Sequence, residues 1–334
     1  MSRRLAEVAR KVGVSEATVS RVLNEKPGVS EATRQAVLTA LDVLGYERPT
    51  KLRGERARLV GLFLPELQNP IFPAFGEAIA AGLVQSGYTP VLCTQTAGGI
   101  SEADYIELLI QQQVSGMVFV GGQYTQGSAP HEHYARLTEL GIPTVFVNAP
   151  VAELRFTTVS TDDAVAMEQA WNHLIQLGHT GIGLVLGPED HVPSQRKLAA
   201  ARRAAAASGI PVQVAHSHYS LEAGQAAATR LLSTGVTAMI CMSDPIALGA
   251  IRAVRRAGLD VPSDVSVVGF DDSALMNATD PALTTIRQPI DPMGRMIIEL
   301  LVGQIRGSAP VTDEYLFEPE LVVRASTGPP PARK

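Results

Sequence analysis

Apolar positions near the start of the chain recur with a helical period. Leu5, Val8, Ala9 and Val12 fall at i, i+3, i+4 and i+7, so they share one face of a helix that Gly13 ends. Ser15, a good N-cap, opens a second helix that turns Val19, Val22 and Leu23 inward. Ser30 opens a third, which buries Val37, Leu38, Leu41 and Leu44 before Gly45-Tyr46. Residues 47–58 then combine Pro49 and Gly54 with five basic side chains (Arg48, Lys51, Arg53, Arg56 and Arg58). They have too little apolar surface to fold alone and read as a linker.

From Leu59 onward short apolar runs alternate with amphipathic stretches of helix length. The runs are Leu59–Leu64, Val91–Cys93, Gly116–Val120, Thr144–Val147, Ile182–Leu186, Ala238–Cys241 and Val265–Phe270. Between them lie helical patterns at Phe75–Ser86, Glu102–Gln113, Ala164–Leu177, Lys197–Ser208 and Ala247–Ala257. This alternation predicts an α/β protein of parallel sheets covered by helices on both faces. The repeat restarts near Thr157–Asp162, and about 270 residues is long for one core, so two doubly wound lobes in series are expected. Ligands of such sheets bind beyond the carboxyl ends of the strands, here a cleft between lobes. The tail Gly328–Pro331 is expected to fray.

Composition sharpens this picture. The 334 residues are 46% hydrophobic and 18% charged, with a net charge of −5 and no apolar run approaching 18 residues, which excludes a membrane span and a disordered tail protein. The two cysteines, Cys93 and Cys241, sit far apart inside apolar runs and read as small buried residues, without paired-thiol chemistry. No apolar stretch follows the basic residues of Met1–Arg10, so no export signal is read and a cytoplasmic location is expected. The charge is unevenly placed. Residues 1–58 hold 12 Lys and Arg against 7 Asp and Glu, whereas the remaining 276 hold 16 against 26. A basic head on an acidic body suggests that one end meets a polyanion.

With its apolar residues turned inward, the second helix presents Glu16, Ala17, Ser20, Arg21 and Asn24 outward. Short polar side chains around one arginine suit a helix laid in a DNA major groove, where a bidentate Arg reads guanine. The alternative is the solvated polar face of a small three-helix bundle. In the lobes, a cleft for a polyhydroxylated ligand needs carboxylates and amides for vicinal hydroxyls, an arginine or two, and an aromatic face for the apolar side of the ring. Asn148, Ser243 and Asp271 each close an apolar run and are candidates, with strand-end capping the alternative for Asp271 and Asp272. His131 and His133 fall in an expected loop, and His216 and His218 flank a strand. None gathers two further ligands at a metal-binding spacing, so they read as solvated. His173 and His179 belong to a structural stretch. Gly181-x-Gly183 lacks the rest of a dinucleotide fingerprint, and no phosphate-binding Gly-Lys-Ser/Thr loop occurs, so neither cofactor nor metal is expected.

The segments Leu5–Ala9, Gly13–Asn24, Val29–Arg34 and Leu44–Tyr46 closely resemble the head of the lactose-repressor (LacI/GalR) family of bacterial transcription regulators. Downstream landmarks follow in the family's order: Asn69–Phe72, His173-Leu174 with Leu177–His179, Ser243-Asp244 with Ala247–Gly249, Val267–Asp272 and Pro281–Gln288. The resemblance implies a helix-turn-helix head at 1–46, a basic hinge at 47–58 and a two-lobed body at 59–327 resembling periplasmic binding protein type I. Lobe 1 would span about 59–158 and 291–318, and lobe 2 about 159–290 and 319–327. It further implies a cytoplasmic homodimer on a near-palindromic operator, most simply a repressor, with a sugar or related small molecule as effector. On that likeness Ser15, Glu16, Ala17, Ser20 and Arg21 contact DNA, with Leu5, Thr18 and Asn24 adding backbone contacts. Leu52 corresponds to the leucine that wedges into the minor groove. This hinge is shorter than usual and contains Gly54, a poor helix former, so a flexible basic tether is the alternative. The likeness assigns ligand contacts to Phe72, Asn148, Asp162, Arg196, Tyr219, Ser243 and Asp271, with Lys197 aligning almost as well as Arg196.

Two other classes compete. A sugar-binding transport receptor would share the lobes but lack the head and carry an export signal. An enzyme would need a catalytic pair or cofactor loop, and the sequence offers neither.

Overall fold

The computed structural model describes residues 8–23, 26–43, 58–95, 98–151 and 154–332. Leu5, Asn24, Leu44, Leu52 and residues 47–57 of the hinge lie outside them, as does the side chain of Leu41. The chain divides into two compact units, Met1–Ala57 and Arg58–Lys334.

In the first unit, helical residues 8–12 (α1) end at Gly13, whose φ of +73° suits glycine, and the Val14 N–H closes the turn on the Ala9 carbonyl at 3.0 Å. Ser15 and Ser30 cap the next two helices, Glu16–Leu23 (α2) and Glu31–Val43 (α3), by accepting the N–H of Thr18 at 3.1 Å and of Thr33 at 3.2 Å. Val8, Ala9, Val19, Val22, Val37, Leu38 and Ala40 form the core.

The second unit holds two six-stranded sheets. The first has β1 (Leu59–Leu64), β2 (Thr89–Thr94), β3 (Gly116–Phe119), β4 (Thr144–Val147), β5 (Thr157–Thr161) and β11 (Glu314–Phe317), in the spatial order β11-β5-β4-β3-β1-β2 and parallel throughout. The second has β6 (Ile182–Leu186), β7 (Val212–His216), β8 (Ala238–Cys241), β9 (Ser266–Asp271), β10 (Thr284–Arg287) and β12 (Glu320–Val322), in the order β12-β10-β9-β8-β6-β7. Only its edge pair β10–β12 is antiparallel. Each sheet reverses direction beside its first strand, which opens a crevice there.

Helices cover both faces: α4 (Ile71–Gln85), α5 (Glu102–Gln111), α6 (Glu132–Glu139) and α11 (Ile290–Ile305) in lobe 1, and α7 (Asp163–Gln176), α8 (Val192–Ser208), α9 (Leu221–Leu232) and α10 (Asp244–Arg256) in lobe 2. Pro73, Pro193 and Pro245 lie in first helical turns, where no N–H is needed. These helices therefore begin earlier than the apolar pattern suggests. Helices α9 and α10 cross with backbones touching: a Cβ on Gly249 would lie 2.2 Å from the Leu221 carbonyl oxygen, and one on Gly224 2.7 Å from that of Ile246. Cys93 and Cys241 are buried free thiols.

The chain crosses between lobes three times: after β5, after β10 and between β11 and β12. The first crossing follows Thr161 and not Thr158, because all of β5 pairs within the first sheet. The tail does not fray at Gly328. Its carbonyl accepts from His179 Nε2 at 2.9 Å and Ser266 Oγ at 3.0 Å, and its N–H donates to Ser266 Oγ at 3.0 Å. His133 lies on α6 and not in a loop. Its ring is largely buried against Tyr134, with its Nε2 3.6 Å from Glu102 Oε1. His131 and His216 are half-buried, the latter bonded through Nδ1 to the Gly187 carbonyl at 2.8 Å, so of those four only His218 is the solvated histidine expected. Among the described residues no helix is long and apolar enough to cross a membrane.

Candidate functional site

On α2, burial of Val19 and Val22 fixes the opposite face outward. Ser15, Glu16, Ala17 and Arg21 are exposed, with Thr18 and Ser20 half-buried between them. The Ser15 hydroxyl is committed to the cap and lies 2.9 Å from Thr18 Oγ1, so these two residues also fix where the helix begins.

In the second unit the carboxyl ends of both sheets face a cleft of about 660 Å³. Phe72, Asn148, Tyr219, Ser243 and Asp271 line it together. Asn148, with φ +66°, and Asp271, with φ +116°, are left-handed residues at strand ends, a costly geometry that turns their side chains off the sheet. A hydrogen-bond relay joins them across the lobes. Gln288 Nε2 donates to Asp271 Oδ1 at 2.7 Å, and Gln288 Oε1 accepts from Asn148 Nδ2 at 3.1 Å and from Thr161 Oγ1 at 2.8 Å. Asn148 Oδ1 in turn accepts the Thr161 N–H at 2.9 Å. Gln288 and Thr161 stand at the second and first chain crossings, so this relay spans the strands that join the two lobes.

Two of the sequence candidates do not line the cleft. Asp162 caps α7, its Oδ1 accepting from Ala164 N at 2.9 Å and Val165 N at 3.1 Å. Arg196 forms a two-pronged ion pair with Glu314, at 2.6 and 2.9 Å. Their neighbours Asp163 and Lys197 line the cleft instead, since one residue along a helix turns the side chain by about 100°. Lys197 Nζ lies 2.5 Å from Asp163 Oδ1 and 4.2 Å from the Phe270 ring centroid. Sequence reasoning also missed Gln288, Gln95, Glu66 and His191, all in the cleft wall.

The cleft is lined by buried and half-buried carboxyls. Burial raises the carboxyls of Glu66 and Asp163, the latter opposed by Lys197. Burial and the nearby Asp244 raise Asp271 well above the usual carboxylate range. Burial and Lys197 push His191 down to about 4, so its ring is neutral near pH 7 and can bond the Tyr219 hydroxyl, 3.1 Å from Nδ1. One end of the cleft is bridged between lobes, where Gly127 N donates to the Asp190 carbonyl at 2.9 Å and Ser128 Oγ donates to Asp190 Oδ2.

Residues 4–49 match the family model for bacterial regulatory proteins of the lacI family, and residues 171–327 that for a periplasmic binding protein-like domain. The HTH-type transcriptional regulator MalR of Streptomyces coelicolor is 50% identical, over 100% of this chain and 99% of that one. This chain belongs to the LacI family. As a LacI-family regulator it is a DNA-binding transcription factor, and its relatives' role sets the enzyme alternative aside. Its fold matches the regulator CelR in complex with cellobiose, at TM-score 0.73 and 31% identity, over 96% of this chain and 99% of that one. It also matches the lac repressor dimer bound to operator and the anti-inducer ONPF, at TM-score 0.71 and 27% identity, over 96% and 98%.

Proposed function

We propose that the protein is a cytoplasmic, homodimeric repressor of a near-palindromic operator, whose DNA affinity is set by an uncharged sugar of disaccharide size held between the lobes. The observation that carries this is the acid-lined cleft crossed by the Asp271–Gln288–Asn148 relay. Carboxylates and amides suit vicinal hydroxyls, and Phe72 and Tyr219 offer faces for the apolar side of a ring. Among the described residues lining the cleft, three carboxyls (Glu66, Asp163 and Asp271) face one lysine and no arginine, and that Lys197 is already paired with Asp163, which disfavours phosphorylated sugars and other anions. A cleft of this volume has room for a disaccharide.

A ligand gripped by Asp271 on one lobe and Asn148 on the other favours one lobe arrangement, and the shift in population changes how the heads can meet DNA. Ser15, Glu16, Ala17, Thr18, Ser20 and Arg21 form the DNA face, Ala17 and Arg21 reading bases. Leu5, Asn24 and the Leu52 wedge remain part of this proposal. The test is a gel-shift titration against DNA upstream of the protein's own gene, repeated with neutral mono- and disaccharides. Specific retardation reversed by one sugar is expected. Equal retardation of scrambled DNA would refute the operator assignment, and indifference to every neutral sugar would refute the effector assignment.

A further inference from the structure

Asp272, next to the proposed effector contact Asp271, lies outside the cleft lining, yet its side chain is anchored from two sides. Its carboxylate is 8% exposed and accepts from two arginines on separate segments: Arg287 Nε on β10 at 2.7 Å, and Arg324 Nη2, beyond β12, at 2.6 Å. Arg287 Nη1 reaches on to Glu320 of β12 at 2.7 Å, and Arg324 Nη1 donates to the Leu283 carbonyl at 2.8 Å. The backbone here is unusual. Asp271 and Asp272 are consecutive non-glycine residues at φ +116° and +54°, a conformation that persists only where its surroundings enforce it. On the far side, Ser273 N donates to the buried Asp244 Oδ2 at 2.7 Å.

We propose that Asp272 is a positioning residue: its double arginine clamp holds the left-handed corner that aims Asp271 at Gln288 and at the effector. The clamp works at a distance from the ligand because a corner of two left-handed residues has few alternative geometries. Once the Asp272 carboxylate is fixed to β10 and to the strand-end segment at Arg324, the direction of the preceding side chain is fixed too. The clamp ties the ligand-facing carboxylate to β12, the strand entered at the third crossing, so lobe movement at that crossing bears on Asp271. This inference rests on the effector role proposed for Asp271 above.

The test compares Asp272→Asn, which keeps the shape and the tolerance for a left-handed backbone while removing the charge, with Asp271→Ala and the double variant. Cellobiose and maltose serve as probes by calorimetry. Asp272→Asn should weaken probe binding about tenfold. It should leave operator affinity without probe within about twofold of wild type, and it should add no further loss in the Asp271→Ala background. Additive losses would mean that Asp272 acts independently of Asp271 and would overturn the proposal, as would wild-type affinity in Asp272→Asn. If neither sugar binds the wild type, the effector reading fails separately. The inference is then decided by a crystal structure of Asp272→Asn, in which the Gln288–Asp271 contact should be lost; its retention overturns the proposal. Arg324→Gln removes the same clamp from the other side and stands in should Asp272→Asn fail to fold.

Discussion

Lys197 Nζ and Asp163 Oδ1 meet at 2.5 Å with both side chains almost withdrawn from solvent, one from α8 and the other from the first turn of α7. Such a pair contributes little net stability over an apolar substitute, but removing one partner strands a buried charge. Lys197→Met should therefore lower the unfolding free energy at neutral pH by about 3–5 kcal/mol.

That loss should shrink in acid. Burial already raises the Asp163 pKa, and without Lys197 opposing it the pKa rises further. The folded form then holds a proton that the unfolded chain releases, so stability falls as pH rises. Thermal melts of Lys197→Met should move closer to wild type at about pH 5 than at about pH 7; a gap that does not change with pH would show that the two charges are not coupled.

Asp244 gives a second pH signature. Burial raises it to about 6, although Ser273 N and Thr285 Oγ1 each donate to it at 2.7 Å. Its folded pKa exceeds the ordinary 3.8, so folding takes up a proton between those values, and the group's contribution is lost as pH rises through that window. Asp244→Asn should flatten this part of the profile of melting temperature against pH.

Gly249→Ala places a methyl group 2.2 Å from one backbone atom and 2.6 Å from another, Gln225 N, and backbone cannot yield as a flexible side chain can. A loss of about 1–3 kcal/mol or more is expected from overpacking, read by urea denaturation. An unperturbed midpoint would mean that α9 and α10 separate easily.

On the head, Arg21→Ala should cost about 1–3 kcal/mol of operator affinity and relax base preference at one position. Competition binding on single-base operator variants measures this. An equal loss on every sequence would mean that Arg21 holds phosphate only.

Much of this was legible in the sequence, because period and punctuation carry strong signals. The caps at Ser15 and Ser30, the buried strands β1, β3, β4, β6, β8 and β9, and the strand-end positions of Asn148, Ser243 and Asp271 all follow from local chemistry. Edge strands were harder: β11 and β12 are short and partly exposed, so they show no apolar run. Asp162 and Arg196 each stand one residue away from a cleft-lining neighbour, since a family likeness aligns segments while a helix discriminates neighbours by rotation. Gln288 and Asp272 act through partners distant in sequence, which no local pattern encodes.

The threefold traffic of the chain between lobes bears on how the protein is made. The first sheet lacks its edge until Glu314–Phe317 has been synthesised, and the second until Glu320–Val322 has. Neither lobe is a continuous stretch that could mature on the ribosome before the other, whereas the head is one. A translation stop upstream of β11 would thus release a DNA-binding head attached to two incomplete sheets. The cell would receive an operator ligand deaf to its effector and exposed to proteolysis.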